Sequence, residues 1–119
     1  DLHLGNLLHR ATAAGPLGQS VLVDLALVHA GHWVEDAIYF ERQYWGHSDL
    51  LKGVKPASEL ARLRRERGLN ANDNYPELAN VRRVLMAACV PAAAEREGNA
   101  KYVAAALELL ERLLPQVAK

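Results

Sequence analysis

The sequence predicts an all-α chain, an up-and-down bundle of four to five helices. Ala and Leu are abundant while aromatic residues make up only 6% of the chain. Apolar residues recur at three- and four-residue spacing, and no stretch alternates apolar and polar residues between hairpin turns. With 119 residues, half of them apolar, a single helical domain over residues 1–119 can bury about two-thirds of its unfolded surface without disulfide or metal staples.

From Leu2 to Ala14 an amphipathic pattern places Leu4, Leu7, Leu8 and Ala11 on one face, and Gly15-Pro16 stops it. Ser20 is placed to cap a second helix that runs to about Trp45, its hydroxyl accepting from a free first-turn N–H. The first half of that helix (Val21, Leu22, Val23, Leu25, Ala26, Leu27, Val28, Ala30) is apolar nearly all round. A helix of that kind needs neighbours on most faces, which makes it the expected central helix. Gly46 to Pro56 reads as a connection with a short turn at Asp49 to Lys52. A third helix starts near Pro56, where proline suits the first turn, and continues through Leu60 and Leu63 to Arg67 before Gly68. Leu69 to Tyr75 is rich in Asn and Asp and is the expected mobile loop. Pro76 opens a fourth helix carrying Leu78, Val81, Val84, Leu85 and Ala88, and Pro91 kinks or ends it. The last helix covers about Ala100 to Val117, with Val103, Leu107, Leu110, Leu114 and Val117 on one stripe and Tyr102, Leu109 and Leu113 beside it. That stripe is broader than one neighbour needs and points to a homodimer.

Fourteen basic residues balance fourteen acidic ones, which excludes bulk attraction to nucleic acid or to an anionic membrane. Locally the balance shifts. Lys52, Lys55, Arg62, Arg64, Arg65 and Arg67, joined in space by Arg82 and Arg83, form a basic set suited to the phosphates of RNA or a nucleotide, or else a solvated face paired with neighbouring glutamates. No apolar run is long enough to span a membrane. The chain opens on Asp1, as if trimmed, and shows no charged-then-apolar leader, so a cytoplasmic location is expected. The one cysteine, Cys89, rules out an internal disulfide framework and is expected buried and inert among Met86, Ala88 and Val90.

Two constellations carry candidate chemistry. His29, His32, Glu35 and Asp36 would share a face if helical, the groups from which a divalent-metal site is built. The His spacing of three departs from the four-residue spacing of the helical zinc motif, and the same residues also suit a hydrogen-bonded helix interface. We therefore read them, with Arg82 and Arg83, as candidate ligand-binding residues, and expect neither metal nor cofactor. Arg42 and His47 are the candidate catalytic pair: a guanidinium and an imidazole together stabilise and protonate a phosphodiester leaving group. The enzymatic alternative is thus a metal-independent ribonuclease. A small-ligand-binding accessory protein is the other.

The order of a long helix around His29, His32 and Glu35, then Gly46-His47-Ser48-Asp49-Leu50-Leu51, then Tyr75-Pro76-Glu77-Leu78 leading into Arg82-Arg83, resembles HEPN domains over about Val21 to Val117. The resemblance implies a small helical bundle, commonly dimeric, found beside nucleotidyltransferases and in RNA-processing or defence proteins. Its active ribonuclease members place an Arg, four variable residues and a His at the start of a late helix. Here Arg82 and Arg83 are followed five positions later by Ala87 and Ala88, and the literal match, Arg42 to His47, sits elsewhere. The resemblance therefore implies a non-catalytic interaction module, homodimeric, with RNA or a nucleotide as candidate partner.

Overall fold

The computed structural model describes residues 2–12, 15–26, 28–93 and 98–118, which form a two-stranded hairpin followed by four α-helices. The strands are β1 (Leu7–Thr12) and β2 (Gly15–Leu22). The helices are α1 (Trp33–Arg42), α2 (Pro56–Glu66), α3 (Tyr75–Cys89) and α4 (Ala100–Val117). Short 3-10 turns occupy Leu4–Asn6, Ser48–Leu51 and Pro91–Ala93.

The mostly helical expectation holds from Trp33 onward and fails before it. Instead of a helix from Leu2 and another from Ser20, β1 and β2 pair antiparallel, with Leu7 opposite Leu22, Leu8 opposite Val21 and His9 opposite Ser20. The register shifts between Arg10 and Thr12. Gly15, Pro16 and Gly18 are poor helix residues, a glycine costing about 1 kcal/mol and a proline about 3 relative to alanine. Val21 and Val23 are β-branched and lose side-chain freedom in a helix. Ser20 caps nothing: its hydroxyl lies 3.3 Å from His9 Nδ1 across the ladder. Asp24 then adopts a left-handed backbone, φ 57°, which breaks any helix there. Ala14 and Leu27, parts of the two expected helices, lie outside the described residues.

The hairpin hangs from the helices by its foot. Asn6 is buried and its carbonyl accepts from Val23 N at 2.8 Å. Gln43, at the C-terminus of α1, donates from Nε2 to the Leu2 carbonyl at 2.7 Å and accepts from Leu4 N at 3.2 Å.

The central element is not the expected one. α1 packs on α2 and on α3, and α3 packs on α1 and on α4. Buried alanines allow close approach, among them Ala37, Ala57, Ala79, Ala87 and Ala106. Val34, Ile38, Met86, Val90 and Tyr102 fill the space between them. Ile38 is fully buried, and burying a side chain of that size contributes roughly 1.5–3 kcal/mol. Trp45 follows α1 and stacks on Tyr102 of α4, ring centres 5.9 Å apart.

The proline and asparagine signals of the later helices are obeyed: proline opens α2 at Pro56, and Asn99 caps α4 by accepting from Tyr102 N at 3.2 Å. The Asn-rich segment between α2 and α3 is tied down. Arg64 Nε donates to the Asn70 carbonyl at 2.9 Å, Asn72 N donates to Asn70 Oδ1 at 2.8 Å, and Ala71 is buried. Cys89 is exposed rather than buried, because it sits on the flank of α3 that also exposes Leu78 and Leu85.

Candidate functional site

α1 begins where a local cap forces it to begin. His32 is the N-cap: its Nδ1 accepts from Val34 N at 3.2 Å, and Glu35 Oε1 accepts from His32 N at 3.4 Å. This is a capping box with histidine in place of the usual hydroxyl residue, satisfying two of the four backbone donors a helix start leaves open. Glu35 and Asp36 also lie in the first turn, where the helix dipole favours negative charge. The local signal was present as His32-Trp33-Val34-Glu35 and was missed because those residues were placed inside a longer helix.

Around this cap the side chains converge. Glu35 Oε2 lies 3.9 Å from His29 Nε2 and 3.6 Å from an Arg82 guanidinium nitrogen that reaches over from α3. Gly31 borders both groups: a Cβ there would sit 3.4 Å from Glu35 Oε1 and His29 Nε2, in ordinary contact. Trp33 stands beside them at the centre of a ring tier. His32 lies 5.6 Å from it and Tyr75 5.5 Å; the Arg64 guanidinium lies over its ring at 5.5 Å and that of Arg65 over Tyr75 at 5.8 Å. Because His32 Nδ1 accepts, its neutral ring carries the proton on Nε2. That Nε2, Trp33 Nε1 and Arg82 Nε are buried and meet no acceptor among the described residues.

Of these groups His29, His32, Trp33, Glu35 and Arg64, but not Arg82, Arg65 or Tyr75, line one wall of a cavity of about 530 Å³. His29, His32, Trp33, Glu35, Asp36, Arg64 and Asn72 give it a polar side, and Leu2, Leu22, Val23, Leu25 and Val28 at the foot of the hairpin, interrupted by Asp24, give it a mainly apolar side. The size suits a small organic ligand. Donors from Arg64 and the histidines suit an anionic group, Trp33 and the apolar wall suit a planar body, and the three carboxylates Asp24, Glu35 and Asp36 suit N–H groups on it.

Of the other sequence candidates, Arg83 is absorbed by the fold. Its Nε and a terminal nitrogen donate to the two oxygens of Glu41 at 2.7 and 2.8 Å, and its other terminal nitrogen donates to Asn80 Oδ1 at 2.9 Å. Arg42 and His47 are not joined by any hydrogen bond or ion pair among the described residues: Arg42 lies over the Tyr39 ring at 4.7 Å, and His47 precedes the 3-10 turn Ser48–Leu51. The basic run divides as well. Arg62 is bound to Glu59 and Glu66 on the surface of α2. Its hydrogen bond holds the Glu59 carboxyl below the ordinary carboxylate range, and both acceptors push the guanidinium above its own. Arg64 faces the cavity. A second groove of about 410 Å³ runs between the end of α1 and α4, past Glu41, Tyr44, Arg83, Ala105, Glu108 and Arg112.

Among the described residues no three His, Cys, Asp or Glu side chains are grouped to hold a metal ion, so His29, His32, Glu35 and Asp36 do not form the metal cluster their spacing suggested. Nor is any described helix long and apolar enough to cross a membrane. No family model, curated protein or solved structure matches the chain.

Proposed function

We propose that this chain is a small, non-catalytic helical interaction module that works as a homodimer and takes a nucleotide, free or as an exposed base and phosphate of RNA, in the cavity at the start of α1. The observation that carries the reading is the convergence of His29, His32, Glu35 and Arg64 around the Trp33 ring, opposite an apolar wall. An inorganic anion alone would have no use for that wall, and an aliphatic ligand none for the Arg64 guanidinium. A base stacked on an aromatic ring typically contributes about 1–3 kcal/mol, with arginine supplying the phosphate contact. The absence of a bond between Arg42 and His47 favours binding over cleavage. Support for a HEPN-like assignment comes from the helices α1 to α4 in their order. The hairpin lies against it, since its second strand reaches into the stretch from Val21 that the resemblance covers.

The test is a titration followed by tryptophan fluorescence and calorimetry, using purine and pyrimidine mononucleotides in one arm and a short single-stranded RNA in the other. Saturable binding that falls at least tenfold in Arg64→Met is expected, with the RNA left intact. Binding weaker than about 1 mM in both arms, equivalent to about −4 kcal/mol, would remove the reading. RNA cleavage abolished by His47→Ala would replace it with the enzymatic one.

A further inference from the structure

We infer that the groove between the end of α1, the start of α2 and α4 binds a small organic acid, a monocarboxylate with an apolar body. The site is independent of the function proposed above: the groove, of about 410 Å³, shares no lining residue with the cavity at the start of α1. One side of it is the tight turn by which the chain leaves α1. Gly46, at φ 82°, packs so closely on α4 that a Cβ there would sit 2.8 Å from the Lys101 carbonyl. Trp45, just before it, stacks on Tyr102 and is only 6% exposed. Trp45 lines the groove, and its indole Nε1 is buried with no acceptor among the described residues. An indole N–H only donates, and burying it unpaired costs free energy, so the site is complete only with an acceptor from outside the chain.

The surroundings of Trp45 name the class of that acceptor. α2 starts at Pro56, which has no N–H, and its N-cap Lys55 supplies no side-chain acceptor. The cap thus leaves the Ala57 and Ser58 N–H groups open at the positive end of the helix dipole, and Lys55 and Pro56 both line the groove. An anion fits there. The charges along the groove set its valence. Lys55, Arg83 and Arg112 line it together with Glu41 and Glu108, which leaves an excess of one positive charge. Arg83 and Glu41 satisfy each other, so the excess falls to Lys55 and Arg112 against Glu108. A single carboxylate makes this set neutral, whereas a phosphate dianion overshoots it beside two glutamates. The remaining lining is apolar: Leu51, Val54, Ala105 and Leu109, with the rings of Tyr44 and Trp45. A hydrocarbon or aromatic body gains from covering that surface, and an inorganic anion does not. The volume lies at the small end of ordinary ligand sites, which suits a body the size of a phenyl ring or a short alkyl chain.

The experiment is a titration of the full chain with octanoate and with phenylacetate, followed by calorimetry and by the indole N–H signals in proton–nitrogen NMR. Octanol, which has the body without the charge, and inorganic phosphate, which has charge without the body, are the controls. Trp45→Phe assigns the Trp45 signal by its loss. At least one of the two acids should saturate with Kd below about 1 mM, moving the Trp45 indole signal and not that of Trp33, while both controls bind about tenfold more weakly or not at all. Lys55 and Arg112 are exposed on the rim, so Lys55→Met and Arg112→Met should keep the wild-type far-UV circular dichroism and each weaken binding by about tenfold. Arg67→Met, an exposed cation at the other end of α2, should leave it unchanged. Two rim variants on separate helices guard against one that fails to fold. No saturation by either acid, octanol or phosphate binding as tightly as the acids, a Trp45 signal that stays in place, or binding that survives both rim variants overturns the inference.

Discussion

Removing the Arg83 guanidinium distinguishes a residue that holds the helices together from one that holds a ligand. Arg83 and Glu41 join α3 to α1 by two charge-assisted hydrogen bonds of 2.7 and 2.8 Å. Their side chains are 19% and 15% exposed, so solvent screens the pair only in part. Charge-assisted bonds contribute about 1.5–3 kcal/mol each when sheltered, and the residual exposure brings the coupling of the pair to about 2 kcal/mol. Arg83→Met should cost about 2–3 kcal/mol, because it leaves Glu41 half-desolvated with its partner gone. In a chain of this size that lowers Tm by about 10 °C. Urea unfolding of Arg83→Met, Glu41→Leu and the double variant closes the cycle and isolates the pairwise energy. Nucleotide binding should be unchanged in all three. The Arg82–Glu35 contact, at 3.6 Å and more than a third exposed, supplies the contrast in stability: Arg82→Met should cost under about 1 kcal/mol. A coupling below about 0.5 kcal/mol between Arg83 and Glu41 would refute the structural assignment.

Other outcomes follow from the same coordinates. His32→Asn keeps a good N-cap and removes Nε2, so stability should stay within about 0.5 kcal/mol while nucleotide affinity drops; His32→Ala should cost about 1 kcal/mol as well, both read by urea melts beside the titration. Gly46→Ala should destabilise by more than about 2 kcal/mol, since Gly46 has φ 82° and a Cβ would meet the Lys101 backbone at 2.8 Å. Gly53→Ala, with φ 81° but open space, should cost only about 1 kcal/mol, and equal costs at the two sites would contradict the close packing of α4 on the exit of α1. The Glu59 carboxyl, lowered by Arg62, favours the folded state near neutral pH, and that contribution fades as pH falls through its folded value. In Arg62→Ala its carbon-detected NMR titration should move up toward the ordinary carboxylate range, and an unmoved midpoint would dissolve the pairing.

From Pro56 onward the chain is readable because its signals are local and redundant. Pro56 and Pro76 suit first turns, Gly68 follows the end of α2 in a left-handed conformation, and the 3.6-residue period persists over α3 and α4. Before Trp33 the signals conflict. Val21 to Ala30 is apolar apart from Asp24 and His29, a composition equally compatible with a buried helix and with an extended chain, and only the pairing with Leu7 and Leu8 decides it. Nothing local announces that pairing or the left-handed turn at Asp24. The site shows the same division. His29, His32 and Glu35 do come together, but not through helical spacing: His29 precedes the helix, and the chain folds back at Gly31 to bring it to Glu35. Arg82 joins them only because α3 packs on α1, a contact between distant segments. Arg83 was grouped with Arg82 as a neighbour in sequence, yet adjacent helical residues point in different directions, and the two arginines serve different carboxylates.

The anchorage of the hairpin by Gln43 has a thermodynamic consequence. A two-stranded ribbon is marginal alone in water, so β1 and β2 persist in this register by leaning on one amide, which grips Leu2 and Leu4 with its two ends. The same ribbon foot, through Leu22 and Val23, is the apolar wall of the cavity. Detachment of the ribbon and emptying of the cavity are therefore linked equilibria. Any occupant that touches that wall adds RT ln(1 + [L]/Kd) to the work of peeling the ribbon away. Amide hydrogen exchange in β1 and β2 would then slow in proportion to occupancy, and Gln43→Ala would weaken an occupant it never touches.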